Sequence, residues 1–155
     1  MTSASHPLTA DAPRTQAQQL LGQLRTAFEQ ALTHAAQACA VGGQLDAARL
    51  DAQQVLCHEL ALASADLLAA ETAVADGNAA TPLDARLALA FAADAIGAVH
   101  GRLEVAFAEL DLDPAALHAL AASPALATLR RQTTGAAALA ALGEAVVHAQ
   151  TELGQ

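Results

Sequence analysis

Six histidines, two cysteines and sixteen carboxylates carry most of the chemical reach of this 155-residue chain, and their spacing limits what they can do. A di-iron helical bundle needs Glu-x-x-His pairs projecting inward from facing helices. None of His6, His34, His58, His100, His118 and His148 has a Glu three residues before it. His100 and Glu104 stand four apart, as do Glu144 and His148, a spacing that gives a hydrogen bond or ion pair along one helix face. Structural zinc sites use short Cys-x-x-Cys steps. Cys39 and Cys57 lack that spacing and read as buried thiols of two helices; a soft-metal cluster with His58 would need those helices to meet there. No Gly-x-Ser-x-Gly, phosphate-cradling glycine loop or Gly-x-Gly-x-x-Gly is present. No catalytic constellation is complete, and the chain reads as non-catalytic.

A binding face is a better prospect. Gly97 and Gly101 are four apart, so they share one side of a predicted helix. Each costs up to about 1 kcal/mol relative to Ala there, and the expected reason is close approach of a neighbouring helix or a ligand. With Gln54, His58, Asp94 and His100 as its polar spots, that side is the candidate groove, of the apolar kind with few polar groups that small molecules favour. Asp94 sits at the edge of the apolar stripe, facing either water or an arginine, with Arg49 and Arg102 as candidates. Glu104, Glu109, Asp111 and Asp113 crowd the end of the same helix and read as solvated surface.

Those residues ride on an unusual composition. Hydrophobic residues make up 54% of the chain but aromatics only 2%, with no Trp or Tyr and three Phe. Ala and Leu dominate; both form helices well, while the β-branched and aromatic residues of strands are scarce. Every basic residue is an Arg. Seven of them against a net charge of −9 cannot neutralise a row of phosphates, which excludes nucleic-acid binding and disfavours anionic membranes. No run approaches the ~18 apolar residues of a membrane span. Met1–Arg14 is polar and has no apolar run of the signal-peptide kind. Cysteine usage fits a reducing cytoplasm.

The apolar spacing predicts an all-α fold: an antiparallel bundle of three long helices with two short helices and a C-terminal helix. Residues 1–12 read as a mobile tail, and 13–155 as a single helical-bundle domain. The first helix runs from about Pro13 to Val41, with Leu20, Leu21, Leu24, Phe28, Leu32, Ala35 and Cys39 inward, and Gly42-Gly43 ends it. The second runs from Asp46, a good N-cap, to about Ala75, on a stripe of Leu56, Leu60, Ala63, Leu67, Ala70 and Val74. The third starts at Thr81-Pro82 with Asp84 at the capping-box position. Its stripe is Leu83, Leu87, Phe91, Ala95, Val99, Leu103, Ala106 or Phe107, and Leu110. Asp113-Pro114 and Ser123-Pro124 open the short helices. Thr133 or Thr134 caps the last helix, about Gly135 to Glu152, with Leu139, Leu142, Val146 and Ala149 inward.

From Gln44 to about Leu142 the text resembles a helical domain of the acyl-CoA dehydrogenase superfamily. The runs that carry the likeness are Leu45-Asp46, Asp51-Ala52-Gln53-Gln54, His58-Glu59-Leu60-Ala61 and the His100-Gly101 step. It looks most like the extra N-terminal helical domain of methylsuccinyl-CoA dehydrogenases, whose Gln, His and Leu-Ala order is kept by Gln54, His58, Leu60 and Ala61. Leu110-Asp111-Leu112-Asp113 and Pro124-Ala125-Leu126-Ala127-Thr128-Leu129 resemble the end of that domain. The flavin-binding β-domain and catalytic Glu segment of the complete enzymes are missing from this text. The resemblance therefore implies an accessory module without dehydrogenase activity, and with no cofactor of its own; FAD or a CoA ester would come only through a partner. The expected partner is a helical protein, an acyl-CoA dehydrogenase-like subunit or a second copy forming a homodimer. A bundle that binds flavin or acyl-CoA in its groove, and an amphipathic coat for hydrophobic inclusions, are the competing expectations.

Overall fold

A computed structural model describes residues 11–153. Of the tail expected at 1–12, the first ten residues, His6 among them, lie outside the described residues. The order is α1 (Asp11–Ala38), β1 (Ala40–Val41), β2 (Gln44–Leu45), α2 (Ala47–Ala52), α3 (Gln54–Ala73), α4 (Pro82–Glu109), α5 (Ala115–Ala121), α6 (Pro124–Thr133) and α7 (Ala136–Leu153). The fold is all-α apart from two strands of two residues each. The long helices α1, α3 and α4 alternate in direction: Gln18 of α1 bonds the Val74 carbonyl just past α3, whereas Cys39, just past the far end of α1, lines the same groove as Cys57 in the first turn of α3. Helices α5 and α6 cover α1 and α4, and α7 packs on α4 and α6.

Small side chains set the spacing of this bundle. Ala17, Ala31, Ala63, Ala70, Ala92 and Ala106 are fully buried between the long helices, and Leu24, Leu67, Ile96, Val99, Leu103 and Phe107 fill the space among them. The α3 stripe is buried from Leu56 through Val74 because its steps alternate between four and three residues and so stay on one face. At the start of α4 the Thr81 hydroxyl accepts from the Asp84 N–H, the Asp84 carboxylate accepts from the Thr81 N–H, and Pro82 opens the helix. That reciprocal box makes the α3–α4 turn a fixed corner.

Four expectations are corrected. The first concerns α4. Leu87 and Phe91 are 42% and 47% exposed; the buried stripe starts at Ala92 and runs through Ile96, Val99, Leu103 and Ala106. A ladder of unbroken four-residue steps drifts by about 40° each time on a 3.6-residue helix, so two steps back from Val99, at Phe91, the ladder has left the core. Secondly, α1 ends at Ala38, and Ala40 and Val41, expected in its last turn, form a hairpin in which Ala40 pairs with Leu45 and Val41 with Gln44. Gly42 and Gly43 both have positive φ, 60° and 81°, as a two-residue turn of the mirror-image type I′ demands.

Thirdly, the second long helix is broken at Gln53 into α2 and α3. In one continuous helix Leu50 would stand about 120° from the direction of Leu56; the break turns Leu50 into the cleft beside α1 instead. The fourth correction is at two leucines expected to face inward, Leu32 and Leu139, each of them 47% exposed.

Glycines 101 and 135 separate tolerance from intolerance. A Cβ at Gly135, in the α6–α7 turn, would stand 2.6 Å from the Arg131 carbonyl oxygen, whereas nothing lies within 4 Å of one at Gly101. Gly135→Ala is expected to lower stability by about 1–3 kcal/mol, the usual range for overpacking. Gly101→Ala on exposed α4 is expected to raise it by up to about 1 kcal/mol. Urea unfolding followed by helical circular dichroism measures both.

Candidate functional site

An uncovered apolar groove of about 430 Å³ runs between the C-terminal half of α1 and the N-terminal half of α3. Helical periodicity builds its two walls. Phe28, Leu32, Ala35, Ala36 and Cys39 follow one side of α1; Cys57, Leu60, Ala61 and Ser64 follow α3, and Leu45 and Leu50 close one end. At the other end the Arg25 guanidinium donates to both Glu71 carboxylate oxygens, Nε to Oε1 at 2.9 Å and Nη2 to Oε2 at 2.6 Å. It also lies 5.5 Å from the centre of the Phe28 ring. Glu71 holds the Arg25 proton even more firmly than usual, chiefly through this hydrogen bond and against the opposing effect of burial. The pair is a charged gatepost on an otherwise apolar channel.

The floor of the groove holds the two cysteines. Cys39 is buried and Cys57 half-buried, and the two face the same groove from α1 and α3. Burial foremost, and then the neighbouring Cys39, pushes the Cys57 pKa above that of an ordinary thiol. Sequence spacing alone left this meeting of the two helices open; the hairpin and the α2–α3 break bring it about. Among the described residues, no group of three or more His, Cys, Asp or Glu side chains is placed to hold a metal ion.

The residues expected to form a binding face are dispersed. Gln54 and His58 are exposed at the start of α3, and Asp94 and Gly101 are exposed on α4. Gly97 does meet a neighbour: its missing Cβ leaves room for the Arg130 guanidinium of α6, whose Nη2 would stand 3.2 Å from it. His100 is partly buried; its Nε2 donates to the Leu117 carbonyl of α5 at 2.9 Å and its Nδ1 faces Glu104 at 3.4 Å. Arg102 donates to Glu59 and Asp66 of α3, and Arg49 reaches the Ala38 carbonyl, so neither candidate arginine goes to Asp94. His100 and Arg102, two residues apart, point about 200° from each other. His100 thus serves the α5 side of α4, while His58 belongs to α3 on the other side.

Among known proteins, no family model matches the chain and no curated sequence matches it.

The thiol chemistry of the groove is open to a direct measurement. In the folded protein a maleimide should label Cys57 and leave buried Cys39 untouched. Because the Cys57 pKa is raised, the reactive thiolate is scarce at neutral pH, and the labelling rate should keep climbing with pH through the range where an ordinary thiol levels off. Peptide mapping after timed labelling, with Cys57→Ser as the blank, checks both the site and the pH profile.

Proposed function

We propose that the chain is a non-catalytic helical adaptor that receives an apolar helical segment of a partner protein in the α1–α3 groove. The supporting observation is where large apolar side chains are left uncovered. Leu32 and Leu45 line the groove and are 47% and 65% exposed, and Leu68, 63% exposed, continues the α3 wall. By helical spacing Cys57, Ala61, Ser64 and Leu68 form one ridge. Contiguous apolar surface of this kind marks interaction sites. The channel from Phe28 to Cys39 is roughly 17 Å long at ~1.5 Å per residue, enough for about three turns of a helix laid in it, whose anchors would recur every three or four residues.

A net charge of −9 opposes a second copy through like-charge repulsion and favours a partner with basic flanks. The resemblance drawn from Gln54, His58, Leu60 and Ala61 supports an acyl-CoA dehydrogenase-like helical subunit, in the cytoplasm, as that partner. Any FAD or CoA ester would then belong to the enzyme. A second reading, an apolar small ligand such as an acyl group in the same groove, draws support from its volume, which lies in the range of small-molecule pockets.

The chain has no Trp, so a Trp-bearing peptide reports on its own surroundings. A basic amphipathic helix carrying one Trp among leucines is expected to bind with a saturable blue shift of its emission. Charging the groove with Leu32→Glu and Ala61→Arg should weaken binding at least about tenfold, or 1.4 kcal/mol, while the circular dichroism stays unchanged. A shift that survives in that variant, or no shift with the unaltered protein, sinks the docking reading. Thermal shift with acyl-CoA esters separates the small-ligand reading.

A further inference from the structure

We infer that Cys39 and Cys57 form a thiol–disulfide site, oxidised through the groove by a low-molecular-weight disulfide of the oxidised glutathione type. Three observations converge on it. The two cysteines come from different elements, yet both line the same open groove. Their exposure is unequal: Cys57 is half-buried and reachable, while Cys39 is only 2% exposed. They come from opposite walls of that groove, and Cys39 is among the neighbours that push the Cys57 pKa up. This is the arrangement of an attacking thiol with a sheltered resolving thiol behind it.

The chemistry balances within the pair and its co-reactant. The Cys57 thiolate attacks one sulfur of the small disulfide, forming a mixed disulfide and releasing one thiolate. The Cys39 thiol, losing its proton, then attacks the Cys57 sulfur; a Cys39–Cys57 bond forms and the second small thiolate leaves. Two protein thiols are oxidised, one small disulfide is reduced to two thiols, and the two protons end on the leaving groups. The lining that α1, the hairpin and α2 bring to the groove holds no charged side chain, so Cys39 is the titratable neighbour that faces Cys57 across it. With little thiolate at neutral pH, the first step is slow, as befits a site set by the redox balance over time and not a rapid peroxide trap.

The cross-link would tie the end of α1 to the first turn of α3 and close the segment carrying the hairpin and α2 into a loop. Constraining the unfolded chain in this way stabilises the fold. The inference rests on the thiol geometry and does not depend on what docks in the groove.

The test uses the full chain incubated folded with oxidised glutathione. The expected product has lost two hydrogens, carries no glutathione, gives a linked α1–α3 peptide on digestion, unfolds at a higher urea concentration, and returns to the starting mass and midpoint on reduction. Cys39→Ser, with Cys39→Ala as the apolar alternative for a buried position, should stop at a stable glutathione adduct on Cys57. Cys57→Ser should stay unmodified. A wild-type chain that halts at the mixed disulfide, links to a second chain, or remains fully reduced while its circular dichroism is native overturns the proposal.

Discussion

Close contact between α1, α3 and α4 is the constraint on which everything else in this structure depends, and alanine makes it. Where Ala17, Ala31, Ala63, Ala70, Ala92 and Ala106 meet, helix axes can lie at the near end of the usual 8–10 Å range. Such a seam holds by length, because each buried alanine contributes little on its own, about 0.8 kcal/mol per buried methyl-sized group. The leucines then act as wedges between the alanines, and α5 and α6 supply Leu117, Leu120, Leu126 and Leu129 to cover the side of α1 and α4 that α3 leaves open. With no Trp or Tyr and three Phe in the chain, nothing bulky is at hand to fill a gap. Where α1 and α3 present Ala35, Ala36, Ala61 and Ser64 to each other, the gap stays, and it is the groove. One compositional fact thus accounts for both the tight bundle and the groove in it.

Polar contacts fix the register that apolar packing leaves loose. Arg25 with Glu71, and Arg102 with Glu59 and Asp66, sit at the rims of the α1–α3 and α3–α4 seams, all partly exposed. Pairs in that setting add a modest amount to stability, but each has one alignment of the two helices that satisfies it. His100 does the same for α5, since its bond to the Leu117 carbonyl holds that short helix against α4. Among the described residues, no buried side-chain nitrogen or oxygen lacks a partner. The charged groups therefore direct the packing from outside, and the groove inherits its dimensions from them.

How much of this was legible in the residues differs by element. The α3 stripe could be read outright, because its alternating four- and three-residue steps already describe one face. The capping box at Thr81 and Asp84 was equally plain, since the chemistry is local. On α4 a ladder of four-residue steps is indistinguishable by eye from a true stripe, yet it winds round the helix, so Leu87 and Phe91 were assigned to a core they do not reach. The hairpin at Ala40–Leu45 left no periodic trace: strands of two residues are too short to alternate, and Gly42-Gly43 ends a helix as readily as it turns a hairpin. Gly97 and Gly101 look alike in sequence, but only Gly97 lies under another side chain. The residues expected on one binding face are therefore dispersed, and the groove between α1 and α3 leaves little trace in the pattern because Leu32 passes for a core leucine. Leu50 and the two cysteines reach it only through a turn and a helix break that the apolar pattern cannot express.

The hairpin explains why the groove and the thiol pair occur together. A chain leaving α1 has to reverse within a few residues if α3 is to run back along it, and two consecutive positive-φ glycines reverse it in the shortest way available to a strand pair. The reversal is held by the ladder and by the Asp46 N–H, which donates to the Cys39 carbonyl. Asp46 then caps α2 through the Arg49 N–H, so the end of α1, the hairpin and α2 form one connected corner. That corner turns Leu45 and Leu50 inward over the channel and sets α3 going with Cys57 on the side facing Cys39. A helical or longer connection would have let α3 start farther along α1, parting the sulfurs and opening the end of the groove to water. The closed end of the channel and the facing cysteines are thus two consequences of the same two-residue turn at Gly42 and Gly43, where glycine takes the positive φ at no steric cost.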